Sequence, residues 1–301
     1  MKVTKKHIFS IGAYLIVLIL ITLLLNNLVV NLIRTNMGIS FSWLLKPAGF
    51  ALSEYSIPYK PSDNYAWALL IGFINALKVI LASLFLSTFI GTIVGISGFS
   101  GNLLLKNLSR LYIALIRQIP LLLQLLFWYF VVILNLPNNP ISIILPGITL
   151  SNKSINLLGI FLTPEFTALM IGLSVFTAAS IAEVIRGAIN AINTGQWEAF
   201  KSLGLSFNQG LISIILPQSL PGIIPGLTSQ YLNLAKNSTL AIAIGYSDIY
   251  AIGDTTITQT GRAIEGFTVL LISFLMLNLI ITRSMEMLNK ISMHYQNDRK
   301  L

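Results

Sequence analysis

Six long apolar segments constrain the fold of this chain more than any other feature of its sequence. A helix needs about 20 mostly apolar residues to cross the hydrocarbon core of a bilayer, and such segments recur along the chain. They lie at about residues 8–33, 67–96, 111–136, 166–189, 220–246 and 264–288. Only 10% of the residues are charged, whereas soluble domains carry about 25%, so lipid must cover much of the surface. We therefore predict an all-α polytopic membrane protein with about six transmembrane helices in a lipid bilayer.

Basic residues are distributed unevenly between the two sides that these spans define. The first span is too long for the apolar region of a signal peptide, and no cleavage site follows, so we expect a retained helix. With the N-terminus in the cytoplasm, five of the 19 Lys and Arg residues fall in outer loops and three within spans. The other eleven lie on the inner side, at Lys2, Lys5, Lys6, Lys106, Arg110, Arg186, Lys201, Arg283, Lys290, Arg299 and Lys300. Cytoplasmic loops carry such an excess. The pattern predicts two cytoplasmic termini and explains the net charge of +9 without a nucleic-acid partner.

Two outer connections are longer than simple turns. Residues 34–66 combine aromatic residues with three prolines, which predicts an ordered or interfacial segment. Residues 135–165 contain four prolines around short apolar runs, which predicts a small exterior hairpin or a re-entrant excursion. The predicted organisation is an N-terminal helix with its outer segment (1–66), a transmembrane core (67–290) and a cytoplasmic tail (291–301).

The long inner loop at residues 190–219 is amphipathic rather than flexible. One short helix is predicted to carry Glu198 and Ala199, and Gly204 breaks it. Ser206 then caps a second short helix that runs to just before Pro217. Two short helices at a sharp angle would form a convex knob on the cytoplasmic face, suited to docking in a cleft of a soluble partner.

This loop resembles the EAA motif of bacterial ABC-importer permeases. Glu198-Ala199-Phe200 precede Gly204, and Ile214-Ile215-Leu216-Pro217 follow at the spacing of that motif, with Phe200 in place of an alanine that would allow closer approach of a partner. The resemblance implies a type I ABC importer transmembrane domain whose loop is a coupling helix docked in a groove of an ATP-binding subunit. It assigns this coupling role to Glu198, Ala199, Gly204, Ile214, Leu216 and Pro217. Gly204 would supply the tight bend, and Glu198 would pair with basic or amide groups of the partner.

Four further stretches are similar to motifs of polar amino-acid permeases. They are Arg117-Gln118-Ile119-Pro120-Leu121-Leu122-Leu123-Gln124, Ala182-Glu183-Val184-Ile185-Arg186-Gly187, residues 236–245 (KNSTLAIAIG) and residues 259–265 (QTGRAIE). They resemble the general L-amino-acid subgroup. The resemblance implies transport of L-amino acids across a bacterial inner membrane by alternating access. The implied partners are an ATP-binding subunit, a second permease that is similar or identical, and a periplasmic amino-acid-binding protein.

Polar residues within spans are candidates for a translocation path or gate, because intramembrane charges cost about 2.5–3.5 kcal/mol each on insertion scales. Two interpretations of Arg117 stay open: it is a gate residue, or its side chain extends to the inner headgroups. Glu183 and Arg186 share a helix face, so a structural ion pair competes with a transport role. A polar cluster interrupts the fifth span near its middle, where it either lines the path or satisfies irregular backbone. The full candidate set is Arg117, Gln124, Glu183, Arg186, Lys236, Asn237, Ser238 and Thr239.

Other polar and small residues have structural interpretations. Near the outer end, contact with a binding protein and simple solvation both fit Asp248, Asp254 and Glu265. Small residues four apart allow helices to approach closely, which predicts packing at Gly91 with Gly95 and at Gly222 with Gly226.

Several kinds of chemistry have no residues to support them. No phosphate-binding P-loop occurs, so a separate subunit must handle ATP, and we expect no enzymatic activity, catalytic residue or cofactor. The chain has no cysteine and two distant histidines, so we expect no metal site. An ion-coupled secondary transporter should show duplicated halves, and a membrane enzyme should show an acidic or histidine cluster, and the sequence shows neither. An ABC importer for another small polar solute stays open.

Overall fold

The computed structural model describes residues 5–34, 38–55, 57–142 and 147–298. Lys2, Arg299 and Lys300 of the inner basic set, and Pro146 of the predicted exterior hairpin, lie outside them. The chain divides into two compact units, Met1–Trp43 and Leu44–Leu301.

Helix α1 (Lys5–Arg34) dominates the first unit. Its 30 residues extend about 45 Å at 1.5 Å per residue, more than the hydrocarbon core of about 30 Å. Two of its polar side chains bond within the helix, since the Thr22 hydroxyl donates to the Leu18 carbonyl at 2.8 Å and Asn31 donates to Asn27 at 2.9 Å. Such bonds are what a helix in lipid requires. The first predicted span is confirmed as a helix of sufficient length and apolarity.

The second unit is mainly helical. In chain order its helices are α2 (Tyr65–Ser97), α3 (Leu103–Gln118), α4 (Leu121–Leu126), α5 (Pro164–Asn190), α6 (Thr194–Ser202), α7 (Phe207–Gly210), α8 (Leu216–Asn237), α9 (Ile249–Thr260) and α10 (Ala263–Asp298). Wider π-helical turns follow α4 at Phe127–Ile133 and α7 at Leu211–Ile215, and a 3₁₀-helix at Ser238–Ile244 follows α8. Within the described ranges of the whole chain, five helices are long and apolar enough to span a membrane. One bent pair makes a sixth.

That bent pair corrects the third predicted span. A continuous helix was expected at 111–136, but α3 and the helix at Leu121–Ile133 meet at 102°. Proline lacks a backbone N–H and keeps the preceding residue out of helical conformation, and Ile119 before Pro120 is accordingly extended. The Gln124 side-chain amide then donates to the carbonyls of Ile116 and Ile119 at 2.9 and 3.0 Å. The break is therefore braced rather than loose.

Helix α5 lies at the centre of the unit and packs against α2 and α8. A Cβ on Gly91 of α2 would lie 2.7 Å from Ile181, and one on Gly95 would lie 3.0 Å from Ile185. On the other side, Gly226 of α8 packs directly against Val184. Any larger side chain would push these helices apart, so the predicted packing at both glycine pairs is confirmed.

A small antiparallel sheet connects the bent pair to α5. Its strands are β1 (Ile141–Ser142), β2 (Ile148–Leu150), β3 (Ile155–Leu157) and β4 (Ile160–Leu162), in that order. Ile148 pairs with Leu157, and Ile155 pairs with Leu162. A small hairpin was one of two predictions for this region. The structure extends it to four strands, with Ile155 buried against the helical core.

The described residues 44–55 and 57–66 of the outer segment are bound to distant parts of the same unit. Ser53 bonds to Ser247 through both its backbone N–H and its hydroxyl. Asn75, fully buried in α2, donates to the carbonyls of Glu54 and Ser247 at 2.8 and 2.9 Å. The Thr163 hydroxyl donates to the Glu54 carboxylate just before α5 begins. The outer segment thus ties together the starts of α5 and α9.

Two of the three outer acidic residues are not available to a binding protein. Asp248 is fully buried and accepts a hydrogen bond from the Ala251 N–H at 2.8 Å, which caps α9. Burial raises the pKa of the Asp248 carboxyl to about 7. Glu265 is also buried and pairs with Arg262 at 3.0 Å. Solvation is therefore the wrong interpretation for both, and only Asp254 is exposed.

Candidate functional site

The inner loop begins with a well-capped helix. The Asn193 side chain accepts from the Gly195 N–H at 2.8 Å, which starts α6. After α6, Gly204 adopts φ +70°, the left-handed conformation that glycine reaches without steric cost. The loop therefore turns at the residue where the sequence predicts the bend.

A second cap restarts the chain immediately after the turn. The Ser206 hydroxyl accepts from the Gln209 N–H at 3.4 Å, and the Gln209 side chain accepts from the Ser206 N–H at 3.0 Å. This reciprocal capping box satisfies donors that a helix start leaves free. The predicted cap at Ser206 is present.

The interior of the loop is an aromatic cluster. Phe200 is buried and packs on Gly210, where a Cβ would lie 2.5 Å from the Phe200 ring carbon Cγ. Trp197 stacks between Phe99 and Phe207, with ring centroids 6.1 and 6.2 Å apart. Phe200 therefore faces the inside of the loop, and the expectation that it limits the approach of a partner is wrong. Its bulk is accommodated by a glycine within the same loop.

The outward face of the loop combines one acid with apolar side chains. Glu198 and Ala199 are exposed, and Glu198 forms no ion pair within the described part of the chain. Leu203 is 73% exposed and Ile212 is 65% exposed. Sequence reasoning did not assign Leu203 or Ile212 to the docking surface. For Leu203 a signal was available, because a large apolar residue at the end of a short inner helix is rarely exposed without purpose; Ile212 lies within the apolar stretch Phe207–Ile244, where exposure to lipid gives no such signal.

The second half of the motif belongs to the scaffold rather than to the exposed face. Ile214, Leu216 and Pro217 are half-buried, and Ile214 and Leu216 pack against the cluster that holds Phe200. The second helix was expected to end before Pro217. Instead Phe207–Ile244 forms one helical stretch of 38 residues. The stretch stays helical although Pro217, Pro221 and Pro225 lack a backbone N–H. Pro217 falls at the start of α8 beside the π-helical turn, and Pro221 and Pro225 lie inside the helix.

Three predicted path residues form one charged cluster beside the loop. The Glu183 carboxylate pairs with Arg186 at 2.7 Å and with Arg117 at 3.9 Å, and all three side chains are partly exposed. The predicted Glu183–Arg186 pair is present, and it extends across helices to α3. Glu183 lies seven residues before the end of α5, about 10 Å along the helix axis. The cluster therefore carries one net positive charge close to the inner loop.

The remaining predicted path residues have mainly structural contacts. Gln124 is buried and braces the bend described above, and it helps to line a cavity of about 320 Å³ whose other walls are mainly apolar side chains. Residues 236–239 lie near the end of the Phe207–Ile244 stretch, not at its middle. There the Ser238 and Thr239 hydroxyls donate to the carbonyls of Ala235 and Lys236, both at 2.9 Å. Within this polar cluster only Lys236 is exposed.

Residues 87–291 match the family described as the inner membrane component of binding-protein-dependent transport systems. The chain belongs to this family. Among its relatives is the putative amino-acid ABC transporter permease protein YhdX of Escherichia coli, which is 32% identical over 95% of this chain and 93% of its own length. The general L-amino acid transport system permease protein AapQ of Rhizobium johnstonii is also 32% identical, over 88% of this chain and 86% of its own.

A solved structure shares the fold of this inner membrane component. The crystal structure of an amino acid ABC transporter with histidines superposes with a TM-score of 0.60 at 24% identity, covering 75% of this chain and 94% of the other. The family fold of type I ABC importer permeases, expected from the inner loop, is thereby confirmed.

Proposed function

We propose that this inner membrane component is the permease subunit of an ATP-driven importer that moves L-amino acids across the membrane by alternating access. A separate ATP-binding subunit supplies the energy by docking on the inner loop. The observation that carries the proposal is the exposed Glu198–Ala199 face, mounted on a buried aromatic cluster that two spans share.

The packing of the loop supports its role as a rigid lever. Phe200 contacts a cluster that includes Ile185 and Ile189 from the end of α5, together with Ile215 and Ile223 from the start of the long helical stretch. Protein interiors are close-packed and transmit displacement rather than absorb it. A push on α6 therefore moves α5 and α8 together, as rigid-body rocking of helices requires.

The outward face suits a protein partner. Glu198 can form charge-assisted hydrogen bonds with basic or amide groups, and Leu203, the residue that caps the end of α6, supplies exposed apolar area on the same short segment. Fully buried interface centres combine such apolar anchors with a few polar groups that fix orientation. The coupling residues Ile214, Leu216 and Pro217 act behind this face by holding α6 against the spans.

The choice of amino acids as substrate comes from the relatives. Two of them are 32% identical along most of this chain and bear amino-acid transport in their names. We assign the same substrate class here, with a periplasmic binding protein delivering it and a second permease completing the pathway. The chain lies in a bacterial inner membrane with both termini in the cytoplasm. The positive cluster at Arg117, Glu183 and Arg186 is suited to a gate that an anionic carboxylate passes.

The docking role is tested by reversing the exposed acid. Glu198→Arg, and separately Gly204→Asp, should leave the chain inserted in the membrane but abolish uptake of labelled amino acids into vesicles that contain the complete importer. Glu286→Arg is the matched control, because it makes the same charge change on an exposed site of α10. Wild-type uptake in the Glu198 and Gly204 variants at normal expression would refute the docking role.

A direct contact test uses the absence of cysteine from the chain. Ala199→Cys should form a crosslink to the ATP-binding subunit with a short bifunctional maleimide, provided that subunit carries one cysteine in its docking cleft. Lys153→Cys, in the sheet at the opposite end of α5, should not. Equal crosslinking at both positions, or none at Ala199→Cys with any cleft position, would contradict the proposed contact.

A further inference from the structure

The turn between β3 and β4 exposes large apolar side chains. Leu158 is 78% exposed, Ile160 is 64% exposed and Phe161 is 73% exposed. These residues, with Gly159 between them, form the hairpin tip, defined here as residues 158–161. Large apolar side chains concentrated in one exposed tip generally mark a contact with a partner or a membrane.

The backbone of the hairpin tip makes the choice of leucine unusual. Leu158 has φ +53° and Gly159 has φ +94°, and Leu158 is the one non-glycine residue with positive φ in the described ranges. Tight hairpin turns of this kind favour Asn, Asp or Gly at the first central position. A leucine there adopts a strained conformation although most of its side chain stays exposed and contacts the neighbouring Gly147 turn, so its apolar side chain has another use.

The shape of the hairpin tip favours a fluid environment over a flat protein surface. Successive residues of a strand point to opposite faces, so Ile160 and Phe161 project on opposite sides of β4, and both are exposed. A protein docked on one face would leave the other apolar side chain in water. Lipid can surround both.

The position and charge of the segment agree with a membrane surface. β4 runs directly into Thr163, which caps α5, so only Leu162 and Thr163 separate the hairpin tip from a membrane-spanning helix, a distance of about 10 Å. Helix α5 has 27 residues and is therefore about 40 Å long, close to the full thickness of a bilayer with its headgroups. Residues 135–163 contain no acidic residue and a single basic one, Lys153.

We propose that the hairpin tip inserts into the lipid leaflet opposite the inner loop, where Leu158, Ile160 and Phe161 anchor the small sheet in the interfacial region. The anchor fixes the end of α5 that lies farthest from the inner loop. It is a lipid-binding surface independent of substrate and of the ATP-binding subunit.

The cysteine-free chain allows a direct test. Leu158→Cys and Phe161→Cys carry an environment-sensitive fluorophore, and the complete importer is placed in lipid nanodiscs that contain nitroxide-labelled lipid. Lys153→Cys is the matched control, because it lies exposed in the same sheet before β3. Positions 158 and 161 should be quenched several-fold more by the lipid nitroxide than position 153, and several-fold less by aqueous iodide.

Two results would overturn the proposal. Iodide quenching at 158 and 161 equal to that at 153 would show a hydrated tip. Protection from iodide without nitroxide quenching would show a protein cover, either the second permease or the binding protein.

A variant that improves the turn separates anchoring from folding. Leu158→Asn suits the positive φ better, so thermal stability in detergent should be maintained or raised. In nanodiscs, however, the nitroxide quenching at Phe161→Cys should fall in the Leu158→Asn background. Undiminished quenching in a stably folded Leu158→Asn variant would refute an anchoring role for Leu158.

Discussion

Substitution of Gly210 tests whether the inner loop is held together by the contact between Phe200 and Gly210. A Cβ at position 210 would lie 2.5 and 2.6 Å from the Phe200 ring atoms Cγ and Cε2, well inside van der Waals distance. Overpacking of this kind costs about 1–3 kcal/mol. Alanine is favoured over glycine in a helix by about 1 kcal/mol. Gly210→Ala should therefore destabilise the loop by up to about 2 kcal/mol.

The sign of the effect should reverse when the ring is removed. In a Phe200→Ala background no ring opposes the new methyl group, so Gly210→Ala should stabilise the loop by up to about 1 kcal/mol. The difference between the two backgrounds is a coupling energy of about 1–3 kcal/mol, which a double-mutant cycle isolates. Phe200→Ala by itself leaves a cavity, and we expect it to change the stability of the loop more than Gly210→Ala does in either background.

Hydrogen exchange of the loop amides measures these energies locally. The Leu205 N–H bonds to the Phe200 carbonyl at 3.2 Å, so its exchange reports opening of the turn. Since about 1.4 kcal/mol corresponds to tenfold in an opening equilibrium, a 2 kcal/mol loss speeds exchange by roughly 30-fold. Equal effects of Gly210→Ala in both backgrounds would refute the packing argument.

Three further predictions concern the spans and the outer side. Gly226→Ala should collide with Val184 and lower the free energy of unfolding by up to about 2 kcal/mol, the overpacking cost less the helix preference of alanine; Gly187→Ala, whose new Cβ would meet no atom within 4 Å, should be tolerated, and equal melting temperatures would contradict this. Glu183→Gln removes two partly exposed ion pairs, so the free energy of unfolding should change by no more than about 1 kcal/mol, whereas uptake of amino acids should slow. Unchanged uptake would show that this cluster is not part of the gate. Because burial raises the pKa of Asp248 from its ordinary value of 3.8 to about 7, folding stabilises the neutral carboxyl; this contribution is complete below about pH 4, is lost as pH rises from about 4 to about 7, and stays lost above that. Asp248→Asn keeps a capping side chain and should flatten the melting temperature between about pH 4 and 7, and an unaltered pH profile would show that Asp248 is not the titrating group.

The long apolar spans and the inner loop were predictable because their signals are local. Length and apolarity define α1, α2, α5 and α10, and a glycine followed by a capping serine defines the turn at Gly204 and Ser206. The glycine pairs predicted close packing for the same reason, since a missing side chain is visible in the sequence itself.

The features that were missed depend on partners distant in the sequence. Asp248 looked like a solvated acid, but it adjoins Ser247, which bonds to Ser53 across 194 positions. Phe200 looked like a surface residue because its partner glycine lies across the turn. The break before Pro120 was signalled by the proline, but the brace from Gln124 to two carbonyls becomes visible only when the chain is folded.

Helix α8 has a directional mechanical property. Pro217, Pro221 and Pro225 follow each other at intervals of four residues, so the missing backbone bonds lie along one side of the helix. A helix that lacks backbone hydrogen bonds on one side bends more easily in the plane of that side than in any other plane. Because α8 is part of the helical stretch Phe207–Ile244 that starts just after the turn at Gly204, the sequence fixes the direction in which a force on the inner loop bends it most easily.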